Sequence, residues 1–180
     1  MKLGPACDLP VRTRRPHGPE RDLQLDMATY LFAWNPKLWP WEELPALCAR
    51  VRRRGFVDVE WSSGRTRQIE PGSRAFMLRL GVAPKGVIGS GVTLTAPRQG
   101  LHWRREKAAA GVTTQFIDLR LDQLFTTPLI SFDELAEPPF SRYRWGIRQS
   151  GAYLPGTLAD ALEDLWEPRW GNARRTPRRR

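Results

Sequence analysis

The first strongly patterned run of the chain is "TYLFAWNP", apolar from Tyr30 to Trp34 and stopped by Asn35-Pro36. A residue before proline is pushed into extended geometry, so this run reads as a short strand that ends there. "WEELPALCARVRRRG" then spaces Leu44, Leu47, Cys48 and Val51 at helical intervals. Its acids stand at the start and its four Arg at the end, as a helix dipole prefers, and Gly55 can serve as the C-cap. Further strands are predicted at Phe56 to Trp61, at Arg74 to Leu80 after the Pro71-Gly72 turn, and across "PKGVIGSGVTLTAP". Glycine inside a strand marks a bulge, a barrel corner or a close backbone approach. Leu101 to Gly111 reads as a polar loop, and "TTQFIDLRLDQLF" alternates as a long half-buried strand. "RWGIRQSGAYLP" predicts a short strand and turn. "LPGTLADALEDLW" closes with a helix carrying Leu158, Ala161, Leu162 and Leu165 on one face.

These elements amount to about six short strands and two helices without an internal repeat. Short strands with glycine kinks point to an α+β fold, a small, partly open barrel with helices flanking it. A length of 180 residues suits one domain. Residues 1–26, rich in Pro, Arg and Gly, read as a flexible arm, residues 27–168 as the domain, and residues 169–180 as a disordered Arg-rich tail. Of the net charge of +10, the tail "RWGNARRTPRRR" supplies six Arg and no acid, whereas residues 27–168 hold 18 basic and 15 acidic groups. Such a tail favours a polyanion through counterion release, and it equally fits a plain solubility tail.

Candidate chemistry is sparse. Cys7 and Cys48 make neither a metal spacing nor a disulfide framework, which fits a reducing compartment. No apolar stretch has the length of a secretory signal core or a membrane span, so a soluble, cytoplasmic protein is expected. His17 and His102 are far apart, no HNH-type His cluster or Cys-x-x-Cys pair is present, and "IGSGV" lacks the Lys and helix of a phosphate loop. No nucleophile comes with a general base, so no catalytic residue, metal or cofactor is expected.

Tryptophan changes the picture, with eight in the chain. Trp41 and Trp166 read as core. Trp34, Trp61 and Trp103 each lie at a strand edge or in a polar loop beside Asn, Ser or His. That setting fits either core packing or a pocket that sandwiches a planar ring while short polar side chains read its edge.

The runs "YLFAWNPKLWPWEEL", "WSSGRTRQIEPGSRAFMLRLGVAPKGVIGSG", "HW" and "WGIRQSGAYLP", in this order, resemble the EVE-like domain of the PUA superfamily. They are most like the version at the N-terminus of HNH-type, modification-dependent restriction endonucleases, over about residues 28–166. "WSSGRTRQI" also resembles the segment of the related YTH domains whose Trp lines a methyl-base cage, and "LHWRREKAAAG" falls where YTH chains place the opposing Trp. The resemblance implies Trp61 and Trp103 as two cage walls, with Trp34, Asn35, Ser62 and Ser63 at the base. It implies Arg148 as a phosphate contact, and Arg65, Arg67, Arg104 and Arg105, next to the two walls in sequence, are further phosphate candidates. EVE domains proper carry Ser-Glu-Pro where this chain has Trp34-Asn35-Pro36, so the acidic edge-reader is missing and the base identity stays open. Only fourteen residues follow Trp166, so no nuclease module is expected.

The expected partner is modified double-stranded DNA, bound by a monomer that flips a modified cytosine, most simply 5-methylcytosine, into the aromatic cage. RNA carrying a modified or unstacked base is the first alternative. A hydrolase of modified nucleosides, like some of the related ASCH branch, would need a Lys/Glu or Thr/Lys constellation. The only Lys between the arm and the tail are Lys37, Lys85 and Lys107.

Overall fold

The computed structural model describes residues 27–175, with side chains through residue 171. The arm expected over residues 1–26, and the last five residues of the tail, lie outside the described residues. The elements run β1 (Thr29–Trp34), α1 (Leu44–Arg54), β2 (Val57–Gly64), β3 (Arg74–Arg79), β4 (Gly86–Thr93), β5 (Arg98–Leu101), α2 (Arg105–Ala109), β6 (Thr113–Leu124), β7 (Ile130–Ser131), β8 (Ala152–Leu154) and α3 (Gly156–Arg175). The eight strands make one mixed sheet in the order β2-β6-β4-β3-β1-β8, with β5 added to β6 and β7 to β4. β1 and β3 are parallel, and the remaining pairs are antiparallel.

Two-residue alternation sorts the apolar side chains into two cores. Phe32 and Trp34 of β1, Ala75 and Met77 of β3, Ile88 of β4, and Ile117, Leu119 and Leu121 of β6 meet Leu44, Cys48 and Val51 of α1. Their neighbours Leu31, Phe76, Leu78 and Val87 point the other way, to Leu162 and Trp166 of α3 and the segment around Phe140 and Trp145. Strands covered on both faces read as continuous apolar runs, which is why β1 and β3 lack a polar side. Trp166 anchors the second layer. It is wholly buried, donates its indole N–H to Ser90 Oγ at 3.0 Å, and meets the rings of Phe76 and Phe125 edge-on.

β2 and β6 keep one face wet. Asp58 lies opposite Arg120 and Glu60 opposite Asp118. Arg120 binds Asp58 through two 2.8 Å bonds, while Arg98 bridges Asp118 and Glu60. In β4, Gly91 has no room for a side chain, because a Cβ there would stand 1.9 Å from the Arg120 carbonyl oxygen. Register shifts at Met77/Leu78, Ser90/Gly91 and Ser62/Gly64 bend the sheet.

The bending brings β2, at one edge of the sheet, against β1 and the start of β8 at the other. Thr66 Oγ1 donates to the Gly151 carbonyl at 2.9 Å, and the Trp61 indole donates to the Ala33 carbonyl at 3.3 Å. Gly151 (φ +76°) permits the approach, since a Cβ would lie 2.8 Å from the Ser63 carbonyl oxygen.

The α+β class agrees with the sequence pattern, and several details differ. β5, mostly exposed and without apolar alternation, exists through its pairing with β6, and β7 has only two residues. The expected polar loop contains the end of β5 and the short helix α2. α1 begins at Leu44, so Glu42 and Glu43 precede it. α3 continues to Arg175, so residues 169–175 are helical and the start of the expected disordered tail belongs to the fold. Arg169 donates to the Leu129 carbonyl at 3.0 Å and pairs with Glu134 at 2.5 Å, and Trp170 packs against the second core. A chain ended at Pro168 is therefore expected to melt several degrees below one ended at Arg175. Each kcal/mol lost shifts the midpoint by roughly 2–4 °C at this size. Equal midpoints in a thermal scan would show that Arg169 and Trp170 add nothing.

Candidate functional site

The meeting of the sheet edges shapes an open groove. β2 does not end at Trp61 but continues through the Ser62–Gly64 bulge. Both serines predicted to face a ligand are spent on forming it. Ser62 Oγ shares a 3.1 Å hydrogen bond with Thr114 Oγ1 and accepts the Gly64 N–H, and Ser63 Oγ donates to the Thr66 carbonyl. Thr114 Oγ1 also donates to the Gly64 carbonyl at 2.9 Å. Beyond the bulge the chain turns outward and lines a concavity of about 580 Å³, where Arg65, Arg67 and Gln68 face Gln149, Tyr30 and Tyr153.

Arg65 Nε lies 3.4 Å from Gln149 Oε1, and the two tyrosine rings meet edge-on at 6.0 Å. Among the described residues neither Arg65 nor Arg67 meets a carboxylate, in contrast to Arg74, Arg98, Arg120 and Arg169. Arg148 is exposed one residue before Gln149 and stands outside the groove lining. A second concavity at Asp58, Glu60 and Asp118 has its acids tied to Arg98 and Arg120. Among the described residues no three His, Cys, Asp or Glu side chains gather as a metal site requires.

The tryptophans are arranged differently from the predicted cage. Trp61 is 6% exposed and sits in the first core, 4.7 Å from the Trp41 ring and 5.2 Å from the Trp39 ring. Trp34 is buried too, giving its indole N–H to the Trp39 carbonyl at 2.9 Å. The open member of this group is Trp39, 39% exposed and stacked on Trp41 at 5.8 Å and 21°. Asn35 puts it there. Its side-chain oxygen accepts the Lys37 N–H and its carbonyl accepts the N–H groups of Leu38 and Trp39, which folds "NPKLW" back over β1. Asn35 is thus a turn former.

Trp103, 44% exposed, stands at the tip of the β5–β6 ribbon beside His102 and under the Arg104 guanidinium. Trp61, buried against Trp39 and Trp41, has little open face to offer the slot expected between it and Trp103. Arg105 is exposed on α2. His102 fixes the tip, since its Nδ1 accepts the Arg104 N–H at 3.0 Å and its own N–H reaches the Val112 carbonyl. Burial, then the charges of Lys107 and Arg104, hold its imidazole below the usual 6.5.

Of the residues expected from sequence, Arg65 and Arg67 line the groove and Trp103 is exposed, whereas Trp39, Gln68, Gln149, Tyr30 and Tyr153 are not among them. The period-2 series Val57, Val59, Trp61, Ser63, all turned inward, carried the signal that Trp61 is core.

Two solved structures share the fold. A hypothetical protein from Leishmania major aligns with a TM-score of 0.54 at 13% identity, over 79% of this chain and 97% of that one. A protein from Pseudomonas syringae aligns with a TM-score of 0.51 at 15% identity, over 77% of this chain and 99% of that one. No protein-family model and no curated protein matches the chain.

Two outcomes follow from the packing. Trp61→Ala is expected to cost roughly 3–5 kcal/mol of stability, as for any emptied tryptophan site, and Trp39→Ala less than about 2 kcal/mol. Denaturant titrations of the two variants check this, and equal losses would refute the core placement of Trp61.

His102 favours its neutral form in the fold, so its contribution is complete above pH 6.5 and is lost as pH falls through the lower folded value. Its ring proton signals, identified by their loss in His102→Gln, are expected to titrate below 6.5, with the Trp103 indole signal moving alongside. A midpoint at or above 6.5 would refute the arrangement.

Proposed function

We propose that the chain is a nucleic-acid-binding module of the EVE-like kind, its curled sheet serving as the partly open barrel of the PUA superfamily. It binds duplex DNA carrying a modified cytosine, most simply 5-methylcytosine, and performs no chemical step. The observation that carries this reading is the groove at the joined sheet edges. There the uncommitted cations Arg65 and Arg67 converge with the amides of Gln68 and Gln149. Arginines hold phosphate oxygens through charge and paired donors, and amides and tyrosine hydroxyls add neutral contacts to the backbone.

The exposed faces of Trp39 and Trp103 supply stacking surfaces for a base taken out of the duplex, with Trp61 as the rigid backing of Trp39. Each base–aromatic stack is worth about 1–3 kcal/mol, enough to offset the few kcal/mol of unstacking when two act together. A methyl group adds only about 1 kcal/mol of apolar contact, so preference for the methylated base is modest, near fivefold.

Fluorescence titration with methylated and unmodified duplexes, and with RNA of the same sequence, tests this. The Arg65→Ala, Arg67→Ala double variant is expected to bind both duplexes more weakly by similar factors and to lower the salt slope by about 1.8. Trp39→Ala is expected to weaken the methylated duplex by about 1–3 kcal/mol. Parent-like binding by the double variant would overturn the assignment of the groove. Tighter binding of RNA than of either duplex would overturn DNA as the partner.

A further inference from the structure

Two large aliphatic side chains stand in water at the tip of the β5–β6 ribbon, where the groove has no use for them. Leu101 is 62% exposed and Val112 42% exposed, and neither belongs to either core. They occupy facing arms of the ribbon. Leu101 pairs with Thr113 in the last rung of the ladder, and the His102 N–H to Val112 carbonyl bond closes the ribbon just beyond it. The segment that joins the two arms carries Arg104, Arg105 and Lys107, against the single acid Glu106. Among the described residues none of the three cations meets a carboxylate.

The tip is continuous with the groove. Thr114, next to Thr113, donates to the carbonyl of Gly64, and Gly64 precedes Arg65. Two strand spacings, about 10 Å, therefore separate the Leu101 strand from the strand that leads into the groove. One extended polyanion can touch both.

We propose that the ribbon tip is a wedge for the duplex, with Leu101 and Val112 entering the base stack beside the displaced base while Arg104, Arg105 and Lys107 hold the flanking phosphates. This inference rests on the DNA-binding reading above. Apolar side chains inserted between base steps replace lost stacking contacts, and cations beside them neutralise the strand that bends away. An apolar pair joined by a cationic segment suits that partner, because a purely apolar surface would not need the charges and a purely phosphate-binding surface would not need the aliphatics. The hydrogen bonds of His102 hold the tip in shape before binding.

A single strand has no stack to fill, so the wedge acts on duplexes alone. The Leu101→Ser, Val112→Ser double variant is expected to bind a methylated duplex about tenfold more weakly than the parent. It should bind the matching single strand as the parent does. A 2-aminopurine placed beside the methylated base is expected to brighten with the parent and stay dim with the double variant. Leu101→Met with Val112→Ile should restore both signals.

Unchanged duplex affinity and an unchanged 2-aminopurine response in the Ser variant would overturn the wedge while leaving DNA binding intact. Failure of the parent to bind any nucleic acid would overturn both. A parent that sediments as a dimer and a Ser variant that sediments as a monomer would assign the tip to contact between copies and overturn the wedge.

Discussion

β8 is only three residues long and pairs with β1 no further than Leu31, so the N–H and C=O of Ala33 lose their strand partner where the two sheet edges approach. Unpaired backbone groups at a partly buried edge are costly, and their satisfaction constrains the structure around them. Ser150 Oγ accepts the Ala33 N–H at 3.1 Å, and the Trp61 indole donates to the Ala33 carbonyl. One bond ties the 148–151 loop to β1 and the other ties β2 to β1. Removing either would leave a backbone polar group without its partner. With the Thr66–Gly151 bond, this pair of side chains joins the walls of the groove in place of a missing strand.

The same constraint explains the local sequence. The β2 bulge must turn the chain outward without opening a gap, and Ser62, Ser63 and Thr114 do so with short hydroxyl bonds to the backbone and to each other. Gly151 must admit the Ser63 carbonyl. Arg65 and Arg67 then project into solvent because the bulge has reversed the chain before them. Elsewhere in the sheet Arg74 is tied to Glu163 and the Gly91 carbonyl, Arg120 to Asp58, and Arg98 to Asp118 and Glu60, while Arg79 lies over the Trp34 ring and reaches the Thr126 carbonyl at 3.4 Å.

Much of the fold was legible in the sequence, because strands covered on both faces are written as unbroken apolar runs and helices by their 3.6-residue spacing. β1, β3, β6, α1 and the first half of α3 all follow from such patterns. β5 carries no pattern because its residues neither enter a core nor alternate, and the helical extension through Trp170 depends on contacts with Leu129 and Glu134 made only after folding. The candidate site was legible in part. Arg65 and Arg67 lie beside a recognisable serine-glycine turn, whereas Gln149, Tyr30 and Tyr153 reach the groove only because distant edges meet. Trp61 was misplaced because the polar residues after it look like a strand end, when they are the bulge that lets the strand continue.

Aromatic exposure follows the same geometry. Trp34, Trp41 and Trp61 are buried together, and Trp39 lies over them with one side in water. An exposed indole on a flexible loop would lose conformational freedom on stacking, which weakens binding. Here the Asn35 turn and two buried rings have already fixed Trp39 during folding. Trp103 is fixed by other means, the His102–Arg104 hydrogen bond and the Arg104 guanidinium over its ring. The first ring depends on apolar packing and is insensitive to pH. The second depends on a ring nitrogen of His102 that accepts a backbone N–H, a bond that nitrogen can make only while it carries no proton.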